Sequence, residues 1–101
     1  MDAEPVLDGM MMTQPAITIY TTPTCPFCVR AKALLNQKGV SFDEINVAAD
    51  PQLRDDMMQR ANGRRSVPQI FIGDVHVGGS DDLYDLERDG KLDQMLSGEI
   101  V

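Results

Sequence analysis

Cys25 and Cys28 are the two cysteines of this 101-residue chain, and they stand two residues apart in Cys25-Pro26-Phe27-Cys28. A bridge between them closes a tiny loop and constrains little of the unfolded chain. A secreted domain stapled by disulfides would carry more cysteines, joining distant segments. The pair therefore reads as reactive, in a reducing compartment, and a cytoplasmic location is expected. A thiolate attacks disulfides where a thiol barely does, so the attacking sulfur needs a lowered pKa. The first turn of a helix supplies this through unpaired N–H groups and the positive dipole end. With a helix beginning at Pro26, Cys25 lies at its edge and feels that field most fully. Cys28 is one turn inside, placed to attack a mixed disulfide on Cys25. Pro26 costs the helix nothing at its first position. Phe27 offers an apolar face beside the sulfur, and Arg30 and Lys32 add positive charge within reach.

The competing reading of the pair is half a zinc site. Tetrahedral zinc needs four ligands, and His76 is the other strong candidate, so three fall short unless a second chain contributes. No metal is expected, and His76 reads as an ordinary hairpin residue. Two further segments invite a ligand. In Ser66-Val67-Pro68 a proline enters a strand, where it removes a ladder donor. Either the Val67–Pro68 bond is cis and exposes Val67 backbone groups, or the strand lies at an edge with its proline facing water. In Gly78-Gly79-Ser80-Asp81-Asp82 two glycines permit close approach, and the N–H groups of a new helix can hold a carboxylate. Asp81 or Asp82 could meet an ammonium, so the segment suits a zwitterionic amino-acid end. A plain helix start with Ser80 as N-cap is the simpler alternative.

The elements that must position these residues follow from periodicity. Residues 16–20 alternate and are β-branched, which predicts a strand. Phe27, Ala31, Leu34 and Leu35 recur at helical spacing, and Gly39 stops that helix. Residues 40–47 predict a second strand. Asp50-Pro51 is a cap and first-turn pair opening a helix that carries Leu53, Met57 and Met58 inward to about Ala61. Residues 67–72 predict a third strand, with Gly73-Asp74 turning it back into Val75-His76-Val77 as a hairpin. Ser80 opens a helix that Gly90 ends, and residues 92–96 add one short turn. The order β-α-β-α-β-β-α implies one parallel pair and an antiparallel hairpin.

Composition sets outer bounds. Hydrophobic residues make up 43% of the chain, enough for a packed core without staples. The formal charge of −7 repels phosphate backbones, so nucleic acid is not an expected partner. No run approaches the roughly 18–20 apolar residues of a membrane span, so no membrane association is expected either. Residues 1–15 contain Asp2, Glu4 and Asp8 with no Lys or Arg and no apolar stretch, which is not a secretory pattern. They are set aside as an extension, either flexible or foreign to the natural protein, and Met10-Met11-Met12 would allow translation to begin within it. The domain is assigned to residues 16–101.

Taken together, Thr24-Cys25-Pro26-Phe27-Cys28, Ser66-Val67-Pro68-Gln69-Ile70-Phe71-Ile72 and Gly78-Gly79-Ser80-Asp81-Asp82-Leu83 resemble the glutaredoxins, in particular the bacterial dithiol glutaredoxin-3 type. The resemblance runs from about Ala16 to Leu96. It implies an α/β, thioredoxin-like fold, a four-stranded mixed sheet flanked by helices. It also implies glutathione as the reducing cosubstrate with no tightly bound cofactor, and a monomer acting on disulfide-bonded or glutathionylated proteins. On this resemblance Cys25 is the nucleophile and Cys28 the resolving thiol. Phe27, Ser66, Val67 and Pro68 would contact glutathione, with Pro68 cis and Val67 pairing the cysteinyl backbone. Ser80, Asp81 and Asp82 would hold the γ-glutamyl end. The chain departs from many relatives at Thr22, where they carry Lys, and at Ser66 and Ser80, often Thr and Cys. Without that Lys, Cys25 is expected to lean more on the helix terminus, with weaker glutathione binding. Relatives that bridge an iron–sulfur cluster usually carry Gly after the first cysteine and Ser in place of the second, so Pro26 and Cys28 argue for reductase chemistry. A thioredoxin-type reductant served by a flavoprotein is disfavoured by Phe27 and the 78–82 segment.

Overall fold

The structure, a computed structural model, describes residues 15–97. The expected N-terminal extension, Pro15 apart, lies outside the described residues. The chain runs β1 (Ile17–Thr21), α1 (Pro26–Gln37), β2 (Asp43–Asn46), α2 (Pro51–Arg60), β3 (Gln69–Ile72), β4 (Val75–Gly78), α3 (Ser80–Arg88) and α4 (Leu92–Leu96). The four strands form one sheet in the order β2-β1-β3-β4. β1 pairs parallel with β2 and antiparallel with β3, which in turn pairs antiparallel with β4. This is the thioredoxin-like arrangement that the sequence motifs implied.

Alternation along the two central strands sorts side chains onto opposite faces. Ile17, Ile19, Ile70 and Ile72 face α1, α3 and α4, meeting Leu34, Leu35, Leu83, Leu92 and Met95. Tyr20 and Phe71 face α2, meeting Met57 and Ala61. Helices therefore cover both faces, and β1 and β3 form the buried middle of three layers. At the C-terminus of α1, Gly39 takes φ 74° while its N–H reaches Asn36 O and that of Val40 reaches Leu35 O. That is a Schellman ending, which glycine adopts without steric penalty.

Two predicted strands are shorter than periodicity suggested. The second covers Asp43–Asn46 rather than 40–47, because β2 is an edge strand with only β1 to pair against; Val40 and Phe42 pack on the core from outside the ladder. The third begins at Gln69 rather than Val67, because the Val67–Pro68 peptide bond is cis and Pro68 has no N–H to give a ladder. Among the described residues, no helix is long and apolar enough to cross a membrane.

Candidate active site

The loop after β1 delivers Cys25 to the N-cap of α1. Its backbone is extended (φ −107°, ψ 109°), and Sγ accepts a hydrogen bond from the Cys28 N–H at 3.2 Å. A sulfur thus occupies the place that Ser, Thr or Asp oxygen usually fills. Pro26 follows at the first helical position, where a missing N–H costs nothing. Cys25 is partly exposed, whereas Cys28 is buried at 1% exposure. Burial is the main force pushing the Cys28 thiol up to about 12, helped by its hydrogen bond with the Cys25 sulfur. A backbone contact at Thr22 and the charge of Lys32 oppose the shift. The two sulfurs therefore occupy very different environments one helical turn apart.

The cis bond at Pro68 ends the loop that faces this helix start. The Cys25 thiol donates to Val67 O at 3.7 Å, a weak contact that brings the 66–68 loop against the sulfur. Phe27, Ser66, Val67, Pro68, Ser80, Asp81 and Asp82, the residues expected to bind a ligand, all line a single groove of about 310 Å³. Phe27 is 52% exposed, so its ring forms an open wall beside the sulfur.

Ser80 is not the N-cap of α3. That position belongs to Gly79, whose N–H donates to Asp82 Oδ2 at 2.9 Å. Asp82, in the third helical position, caps the helix from within, so no side chain is needed at the cap itself. Gly78 makes the entry possible with φ 116°, a conformation other residues rarely adopt. Ser80 becomes the first helical residue, and its buried Oγ finds no hydrogen-bond partner among the described residues. The N–H groups of Ser80 and Asp81 belong to the first turn, which has no intrahelical acceptor for them.

The cations expected near Cys25 are engaged elsewhere. Arg30 lies over the Tyr84 ring at 5.2 Å, and Lys32 pairs with Glu44 at 2.9 Å. That pairing and a hydrogen bond from Thr21 hold the Glu44 carboxyl below its ordinary range. The groove instead receives Arg64, whose Nη1 lies 3.5 Å from Asp82 Oδ2. Sequence reasoning passed over Arg64; its closeness to Ser66-Val67-Pro68 in the chain was the available signal. His76 is engaged with Gln69, and among the described residues no cluster of three or more His, Cys, Asp or Glu side chains could hold a metal ion.

A sulfur that serves as a helix cap, backed by a second one shielded from water, equips a chain to exchange disulfides. The fold and site define a thiol–disulfide oxidoreductase. A family model for glutaredoxin matches residues 17–77, and the chain belongs to the glutaredoxin family. It is 52% identical over 80 residues to glutaredoxin 3 of Escherichia coli, covering 79% of this chain and 95% of that one. The solution structure of a Brucella melitensis glutaredoxin superposes with a TM-score of 0.77 at 54% identity, covering 88% of this chain and 96% of that one. The crystal structure of a buckwheat glutaredoxin–glutathione complex superposes with a TM-score of 0.74 at 28% identity, covering 93% and 88%.

Proposed function

We propose that this oxidoreductase uses glutathione to reduce glutathione–protein mixed disulfides and protein disulfides, acting as a monomer in the cytoplasm. The observation that carries the reading is the groove running from Val67, beside Cys25, to the first turn of α3. Both ends of a small peptide with a central sulfur find chemistry there. The Val67 backbone pairs with the cysteinyl unit. The N–H groups of Ser80 and Asp81 take the γ-glutamyl carboxylate. The Asp81 and Asp82 carboxylates face its ammonium. Arg64 supplies a cation for a glutathione carboxylate in a chain that has Thr22 where many relatives have Lys. Phe27 and Ser66 complete the walls. The bound glutathione seen in the buckwheat relative is consistent with this use of the fold.

In the proposed reaction the Cys25 thiolate attacks the glutathione sulfur of a mixed disulfide. The S–S bond breaks, the protein thiolate leaves and takes a proton, and glutathione remains on Cys25. A second glutathione thiolate attacks that sulfur, releasing oxidised glutathione and the Cys25 thiolate. With a protein disulfide, one protein sulfur becomes attached to Cys25 as the other leaves. Cys28 then breaks that bond, releasing the reduced protein and forming a Cys25–Cys28 disulfide, which two glutathione thiols reduce in turn to give oxidised glutathione. Bonding at Cys25 removes the hydrogen bond with its sulfur, a smaller cause of the raised Cys28 pKa than burial, and so eases loss of the Cys28 proton. The test is turnover of a glutathione mixed disulfide with glutathione, glutathione reductase and NADPH. Activity there, and much lower activity with thioredoxin reductase, is expected; the reverse preference would overturn the assignment.

A further inference from the structure

Gln69 is the anomaly of β3. It is fully buried at the head of a strand that continues Ile70-Phe71-Ile72, where an apolar side chain would be the inexpensive choice. Its amide is spoken for on both sides. Nε2 donates to Ser66 O at 3.0 Å and lies 3.3 Å from Ser66 Oγ. Oε1 is therefore the atom facing His76, whose Nε2 approaches it at 2.6 Å. Since Oε1 can only accept, His76 Nε2 carries the proton and donates.

His76 is held for this task. It stacks on Phe71 with ring centroids 4.7 Å apart and 20° between planes. Burial, then the nearby Arg64 charge, lowers its pKa; Arg60 acts the same way and Asp82 opposes them. The neutral ring so favoured has a single N–H, and Gln69 takes it.

Resting on the proposed use of the groove, we infer that His76 is a positioning residue for substrate: through Gln69 it fixes the Ser66 carbonyl and so holds the Ser66-Val67-Pro68 wall against Cys25. A two-link chain of hydrogen bonds runs from β4 to the peptide adjoining the Val67 backbone. Without the His76 donor, Gln69 Oε1 is buried unpaired. The amide then gains by turning towards another donor, and Ser66 loses its anchor.

The experiment compares the wild-type chain with His76→Leu and His76→Gln, whose amide nitrogen can stand where imidazole Nε2 stands. His76→Leu raises KM for a glutathione mixed disulfide about tenfold with kcat held within about twofold, the scale of one hydrogen bond acting on binding. His76→Gln returns KM most of the way to the wild-type value. An unchanged KM in His76→Leu, or a rise that His76→Gln does not reverse, would overturn the relay. Wild-type protein with no glutathione-dependent turnover would instead refute the proposed function. In that event exchange of the Gln69 side-chain N–H protons, followed by 15N NMR, decides the relay: slow in wild type and at least about tenfold faster in His76→Leu if it holds, equal in both if it does not.

Discussion

The N-terminus of α1 is capped by the sulfur of Cys25, and that of α3 by the carboxylate of Asp82 reaching back to the Gly79 N–H. Both ends open on the same side of the sheet, where the 66–68 loop lies between them. In the proposed reaction the cap at α1 is the reacting atom, so its partnership with the Cys28 N–H would change whenever a bond forms on sulfur. At α3 the cap is internal and unreactive, and the proposed function gives the first-turn N–H groups of Ser80 and Asp81 to a ligand. On that proposal one helix start changes during turnover and the other stays fixed. Catalysis should therefore fail completely when the first is altered and decline in binding when the second is.

The largest effect is expected from Cys25→Ser, which should reduce turnover of both substrate types by about a thousandfold or more because it removes the proposed nucleophile. Cys28→Ser should keep most deglutathionylation and lose protein-disulfide reduction, and steady-state assays on the two substrates separate these outcomes. Loss of deglutathionylation in Cys28→Ser would refute the division of roles.

At the other helix, Gly78→Ala would force a Cβ onto the Asp82 carboxylate, 2.9 Å from its carbon, at a φ of 116°. A destabilisation of about 1–3 kcal/mol is expected in urea unfolding, together with a raised KM for the mixed disulfide. Asp82→Ala removes the internal cap without strain and should cost about 1 kcal/mol, with a severalfold KM increase and little change in kcat. A fall in kcat alone for either variant would mean that α3 takes part in chemistry, contrary to the contrast drawn above. The smallest effect is expected from Thr22→Lys, which restores the cation many relatives carry. A severalfold faster alkylation of Cys25 at neutral pH and a lower KM should follow, on the scale of one partly screened charge. No change would mean that the α1 terminus and Arg64 already supply what that Lys would.

Sequence revealed what is local. The helix start beside Cys25, the Gly39 stop, the Asp50-Pro51 start and the alternation of β1 each depend on a few neighbouring residues whose chemistry is read directly from the chain. The sequence was less informative where partners lie far apart along it. Physical reasoning left Pro68 open between a cis bond and an edge strand, and only the resemblance to a family favoured the cis bond that is observed. Ser80 resembled a cap by composition, yet Gly79 holds the position because Asp82 reaches back to it. Arg64 enters the groove from the loop after α2, and its pairing with Asp82, 18 residues on, has no local signature. Arg30 and Lys32, near Cys25 in sequence, turn towards Tyr84 and Glu44 because a helix points successive side chains in different directions.

Two sulfurs one turn apart differ in access, Cys25 partly exposed and Cys28 buried, and alkylation mapped by mass spectrometry across pH reads that difference. Burial raises the Cys28 thiol from 9.0 to about 12, so the folded state holds that proton more tightly than the unfolded chain. The associated stability is full below pH 9.0 and lost as pH rises through about 12. With one equivalent of iodoacetamide at neutral pH, label should therefore appear on Cys25 alone. In Cys25→Ser, burial should still make Cys28 slower to label than Cys25 is in the wild-type chain. Label reaching Cys28 first, or both sulfurs equally, at neutral pH would contradict the account.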